Sequence, residues 1–205
     1  MNEKGAEQME QVLYKKKFTV KEFYNALYKG IWTFKFLKKS KKSGQLSEQF
    51  VKRIMLAVTE VNGCEVCSYA HTKTALEMGM EEKEIQQLLT GVMNDIPADE
   101  IKAILFAQHY ADTKGDPTKE SWDEIFSVYG EQTALGILGA IRMIMLGNSY
   151  GIALSAYKSR MKGVPIKKSS LFYEIRMLLS LIPLFPAAII HVIILRLLKR
   201  PVIEF

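Results

Sequence analysis

The sequence is poor in cysteine, with two in 205 residues. So small a number excludes the disulfide frameworks that stabilise many small secreted domains. The chain also shows no internal repeat and no low-complexity segment, and its polar start lacks the apolar region of a signal peptide. We therefore expect a cytoplasmic protein whose two cysteines form an intracellular redox pair.

Strand patterns are absent as well, and helical periodicity runs through most of the chain. We predict an all-α protein with one domain at residues 46–163, a basic N-terminal extension at 1–45 and a basic, apolar C-terminal extension at 164–205. Pro183 and Pro186 predict that the C-terminal extension is a hairpin of two short helices. The helices are predicted at 20–39, 47–61, 64–79, 81–90, 98–113, 118–129, 132–156, 171–182 and 187–199, with a possible bend near 147–149.

The charge is divided unevenly along the chain. Residues 1–46 hold eleven Lys and Arg against four Asp and Glu, residues 47–157 hold eight against sixteen, and residues 158–205 hold nine against two. A nucleic-acid-binding protein would place its basic residues on the folded domain beside a recognition element, and neither is found. The basic flanks accompany apolar and aromatic residues instead, which favours peripheral contact with an anionic membrane surface.

The segment with the clearest chemistry holds both cysteines and one histidine. Asn62-Gly63 is a turn signal, so Cys64 is predicted to open a helix. The positive end of the helix dipole stabilises a thiolate in the first turn. Spacings of three and four residues place Cys64, Cys67 and His71 on one helical face, where His71 can take a proton from Cys67 or, once protonated, steady its thiolate. This interpretation requires that the sulfurs be reachable and that the imidazole face them.

Two other interpretations fit the same residues. Cysteine is often buried as a small apolar side chain, so the pair can be core filler. Cys64, Cys67 and His71 can also be three ligands of a zinc site, but structural zinc takes four ligands and the chain has no second CxxC pair. We therefore expect no metal and no cofactor.

The segment from Leu46 to Gly79, with CxxCxxxH after an apolar helix and a glycine eight residues past the histidine, resembles the carboxymuconolactone decarboxylase and alkylhydroperoxidase D superfamily. The similarity continues to about Gly91 and more loosely to about Gly163. It implies an orthogonal helical bundle, to which this chain adds an N-terminal helix and the C-terminal hairpin. It also implies that Cys67 attacks peroxide, that Cys64 is the resolving, partner-facing thiol, and that His71 belongs to a proton relay.

One position departs from the pattern of that family. A relay glutamate commonly stands twelve residues before the first cysteine, where this chain has Lys52. Glu60, near the end of the same predicted helix, is the candidate replacement.

The function predicted by the resemblance is a thiol-dependent peroxidase or disulfide reductase. Its partners would be a hydroperoxide and a dithiol or redox-protein electron donor, and the family's trimers and hexamers imply a homo-oligomer. The alternative is a non-catalytic helical protein with a vestigial CxxC, attached to a membrane or a partner by its basic, apolar ends.

Overall fold

The computed structural model describes residues 16–92 and 94–205, so the first fifteen residues of the predicted N-terminal extension lie outside the described part. Within those ranges the protein is all-α, as predicted, with seven helices and no strand. The helices are α1 (Val20–Lys42), α2 (Glu48–Asn62), α3 (Glu65–Glu77), α4 (Glu82–Leu89), α5 (Ile101–Asp112), α6 (Lys119–Met161) and α7 (Leu171–Leu197).

Helix α1 begins at a capping box, in which the Thr19 side chain accepts from the Glu22 backbone and the Glu22 side chain accepts in return. Its inner face packs along α6. Phe23 and Leu27 are buried on this face, whereas Phe34, which follows them at helical spacing, is 49% exposed. Trp32 and Leu37 continue the buried face in its place.

The middle of the chain follows the predicted order of helices. Ser47 caps α2 by accepting from the Phe50 backbone, and Gly63 ends α2 in the left-handed region at φ 69°. Arg53 on α2 binds Glu84 on α4 and Glu100 just before α5, so one buried cation joins three segments of the fold.

Helix α6 contains a break at Gly130, where φ is 71° and ψ is 164°. This break separates the two helices predicted at 118–129 and 132–156. The helix continues through 147–149, so the predicted bend there does not occur. Its glycines allow close packing instead, because a methyl group at Gly139 would come within 3.0 Å of the Leu37 Cβ.

The predicted C-terminal hairpin is wrong, because α7 is one helix of 27 residues with both prolines inside it. Each proline removes one backbone hydrogen bond, which destabilises a helix but does not end it when packing compensates. The inner side of α7 supplies that packing along α1 and α6, where Met177 and Ala188 are fully buried. The division at residues 45 and 163 stays a prediction, although both extensions pack on α6.

Candidate redox site

The two cysteines form a disulfide at the start of α3. Cys64 is the N-cap residue of that helix and Cys67 lies in its first turn, so the helix start is where the sequence predicts it. Cys64 is 1% exposed and Cys67 is 8% exposed, so both are shielded from bulk solvent. An oxidised pair at this position is what a reversible dithiol couple would form.

Helix α6 approaches the disulfide at a glycine. A methyl group added at Gly151 would lie 2.8 Å from the Sγ atoms of both Cys64 and Cys67, and 3.2 Å from the Val66 side chain. Such distances are shorter than ordinary van der Waals contact, so only glycine fits here without a shift of α3 or α6. The disulfide therefore occupies space that a side chain at residue 151 would otherwise fill.

Cys67 borders a cavity of about 790 Å³ whose lining is mostly apolar. Helix α3 contributes Val66, Cys67, Ala70 and His71 to its wall, and the rest of the lining comes from α1, α6 and α7. Cys64 is not among the lining residues. Of the two sulfurs, then, that of Cys67 is the one that a molecule in the cavity can approach.

His71 lies beside Lys52, with 3.3 Å between its Nδ1 and the lysine Nζ. Burial, with a smaller contribution from the Lys52 charge, lowers the pKa of His71 to about 4. Burial also lowers the pKa of Lys52. An ammonium group can only donate, so Nδ1 of the neutral imidazole accepts and Nε2 carries the proton. Near neutral pH the cation next to this imidazole is Lys52.

The predicted site residues are therefore distributed as follows. The structure joins Cys64 to Cys67 and places Cys67 and His71 on one cavity wall. Lys52, singled out by the family pattern, is the side chain that contacts His71. Glu60 lies in the last turn of α2, and its part in a relay stays a prediction.

In the described ranges, no group of three or more His, Cys, Asp or Glu side chains is arranged to hold a metal ion. The disulfide also ties up the two sulfurs that the zinc interpretation needs, because metal-binding cysteines are free thiolates.

Several residues of the site are not apparent from the CxxCxxxH segment. Gly151 and Tyr150 come from α6, and Ile182 and Phe185 come from α7, all more than 80 residues from the cysteines. A glycine within an apolar helix signals close packing, but only the tertiary structure shows that a disulfide is what it packs against.

Comparison with known proteins gives one match, to a family profile that covers part of the chain. Residues 25–109, from within α1 to within α5, match the profile described as "CMD: Carboxymuconolactone decarboxylase family". No curated protein and no solved structure matches the chain. The matched region contains both cysteines, His71 and Lys52. The chain is therefore similar to this family over residues 25–109, which is less than half of its length.

Proposed function

We propose that this protein is a thiol-dependent peroxidase that reduces organic hydroperoxides at Cys67. The observation that carries the proposal is the cavity: one sulfur of a disulfide borders an open, mostly apolar space beside a neutral histidine. Such a space suits a hydroperoxide with an apolar body, which displaces poorly held water as it binds.

A peroxidase accounts for the burial of the sulfurs better than a reductase of protein disulfides does. A reductase must bring its attacking thiol against a disulfide on the surface of another protein. Cys64, the expected partner-facing thiol, is 1% exposed and lies outside the cavity. A small molecule that enters the cavity needs no such surface.

The reaction begins when an external dithiol reduces the disulfide and is itself oxidised. The Cys67 thiolate then attacks the terminal oxygen of the hydroperoxide, so that an S–O bond forms and the O–O bond breaks. The leaving alkoxide takes a proton and departs as an alcohol. The Cys64 thiol condenses with the resulting sulfenic acid, releases water and restores the disulfide.

His71 and Lys52 supply a proton path to the leaving group. The imidazole donates its Nε2 proton to the alkoxide while its Nδ1 accepts a proton from the Lys52 ammonium. A histidine with a pKa of about 4 is a weak base, so this path favours donation to the product over removal of the Cys67 proton.

The test is consumption of cumene hydroperoxide with dithiothreitol as reductant. We expect turnover by the wild type and none above background by Cys67→Ser. Cys64→Ser, reduced beforehand and then freed of dithiothreitol, should consume a single equivalent and keep a sulfenic acid at Cys67, because no thiol is left to condense with it. Ser68→Ala, which changes the neighbouring residue and leaves both sulfurs, should keep turnover. Equal background rates in the wild type and in Cys67→Ser would show that the disulfide is a structural or vestigial feature.

A further inference from the structure

Helix α7 carries an exposed apolar surface that its own fold does not use. Its outward face is defined here by exposed residues spaced along its length: Leu179, Ile182, Phe185, Ile190, Ile193 and Leu197. The most apolar window of α7 has a mean hydropathy of 2.5, with 11% of it buried, whereas the corresponding window of α6 has 1.4 and is 72% buried. The apolar residues of α6 therefore form the core, and those of α7 remain uncovered. At 1.5 Å per residue the outward face is about 27 Å long.

The exposed charges at the two ends of this face are mostly positive, although Arg200 pairs with Glu204. Between Met177 and Leu195 the only side chain that can carry a charge is His191, which turns inward, with its Nδ1 3.0 Å from the Tyr24 hydroxyl. Exposed basic residues stand at both ends, with Arg176 before the apolar stretch and Lys199 and Arg200 after it. An apolar surface with basic ends matches a bilayer whose headgroups are anionic.

The packing of α7 determines how it can meet the bilayer. Contacts with α1 and the residues just before it follow the same order along both segments. They run from Lys17 with Tyr173 through Tyr24 with His191 to Trp32 with Arg196. If α7 crossed the membrane, α1 would enter it too, together with Lys21, Glu22 and Lys29, which lie between the first and the last of these contacts. Desolvating those charges is unfavourable, so the arrangement suits a helix that lies in the interface plane.

The cavity beside the disulfide reaches the same face. Ile182 and Phe185 line the cavity with Cys67, yet they are 72% and 49% exposed. The same two side chains thus form the cavity wall and part of the outward face. A molecule dissolved in lipid at this face would therefore meet the cavity wall directly.

From these observations we propose that the outward face of α7 docks on an anionic lipid bilayer and that the cavity receives its substrate from the lipid. The docking surface stands independently of any chemistry. The delivery of a lipid-borne hydroperoxide rests on the proposed peroxidase function.

Flotation of the full chain with vesicles tests the docking surface. We expect recovery with vesicles of equal parts phosphatidylcholine and phosphatidylglycerol, and weaker recovery with phosphatidylcholine alone. Ile190→Gln with Ile193→Gln keeps good helix formers on an exposed surface and leaves the cavity lining intact. This double substitution should lower the partition coefficient of the protein between vesicles and water by at least about tenfold. The matched control, Leu105→Gln with Val128→Gln, changes two apolar residues of similar exposure on α5 and α6 and should bind like the wild type.

Light scattering without vesicles gives the competing outcome. If the wild type is an oligomer that the Ile190→Gln, Ile193→Gln variant breaks into monomers, and vesicles do not bind, another copy covers the face and the docking proposal is overturned. Equal partitioning of this variant and the wild type would also overturn it.

Activity assays separate this proposal from the peroxidase function. The same variant should keep the wild-type rate on cumene hydroperoxide in solution and lose rate on phospholipid hydroperoxide within vesicles. Vesicle binding without any peroxide consumption would overturn the function and the delivery route but not the docking surface. Consumption without vesicle binding would overturn the docking surface and the delivery route.

Discussion

Gly151 is the residue whose replacement tests the site most directly. In Gly151→Ala the new methyl group would lie 2.8 Å from both sulfurs, so α3 and α6 must move apart. We expect the free energy of unfolding of the oxidised protein to fall by about 1–3 kcal/mol, the usual effect of overpacking, measured by urea denaturation.

Gly147→Ala is the matched control for that substitution. It lies one turn earlier in the same helix, is exposed, and would meet only the Ile144 side chain, at 3.9 Å. Alanine is the better helix former by about 0.5–1 kcal/mol, so this variant should be as stable as the wild type or more stable. Equal losses in the two variants would contradict the close packing at Gly151.

Lys52 contributes to the low pKa of His71, and its contribution can be tested in two steps. Burial is the larger cause of the low pKa of His71 and the Lys52 charge is the smaller one. Lys52→Met removes only the smaller cause, so it should raise the pKa of His71 but leave it below its ordinary value. Lys52→Glu, which introduces the carboxylate common in the family, should raise it further, because an adjacent negative charge favours the imidazolium.

Titration of the His71 ring protons by NMR measures both shifts. Lys73→Glu, on the exposed side of α3, is the charge-matched control and should leave the pKa of His71 near that of the wild type. A fall in the pKa of His71 in Lys52→Glu would contradict the arrangement described here.

At the scale of elements, the two prolines of α7 interrupt its backbone hydrogen bonds on the exposed side. Pro183→Ala restores a donor and removes a ring that crowds the preceding turn. We expect a higher melting temperature by circular dichroism. Pro165→Ala, in the exposed segment before α7, should give no gain, since it lies outside any helix. A lower melting temperature for Pro183→Ala would show that the prolines fit this helix better than alanine.

The sequence predicts helices well where caps and glycines agree with the apolar period. Ser47 and Gly63 bracket α2, and the start of α3 at the cysteines follows from that turn. The prediction fails at α7. The hydrogen bond that each proline removes predicts a break in the helix, but the packing by α1 and α6 that keeps it continuous cannot be read from the local sequence. Periodicity is also insufficient in α5, where Leu105 is 49% exposed, since it does not say which face of a helix a neighbour covers.

The same limit applies to the site. CxxCxxxH and the resemblance indicate Cys64, Cys67, His71 and the unusual Lys52. The cavity is assembled from α1, α3, α6 and α7, so no local pattern contains it.

At the scale of the whole molecule, His71 makes stability depend on pH. Its pKa is about 4 in the folded protein and near 6.5 when unfolded. The unfolded chain therefore binds more protons between these values, and stability that is present above pH 6.5 is lost as the pH falls toward 4.

Between pH 7 and pH 5 we expect this loss to be on the order of 1 kcal/mol in the free energy of unfolding. His71→Gln lacks the titrating group, so its stability should fall less over the same interval. Carboxylates titrate in both proteins, and the difference between the two pH profiles isolates the histidine. Identical profiles would contradict the low pKa.

The position of Cys67 on the cavity has a kinetic consequence for the proposed peroxidase. Because Cys67 borders the cavity and Cys64 does not, the hydroperoxide and the dithiol must bind in the same cavity one after the other. Neither can bind while the other occupies it. Steady-state rates should then give parallel double-reciprocal lines, and excess reductant should inhibit competitively against the hydroperoxide. Intersecting lines would mean that the disulfide has a second approach.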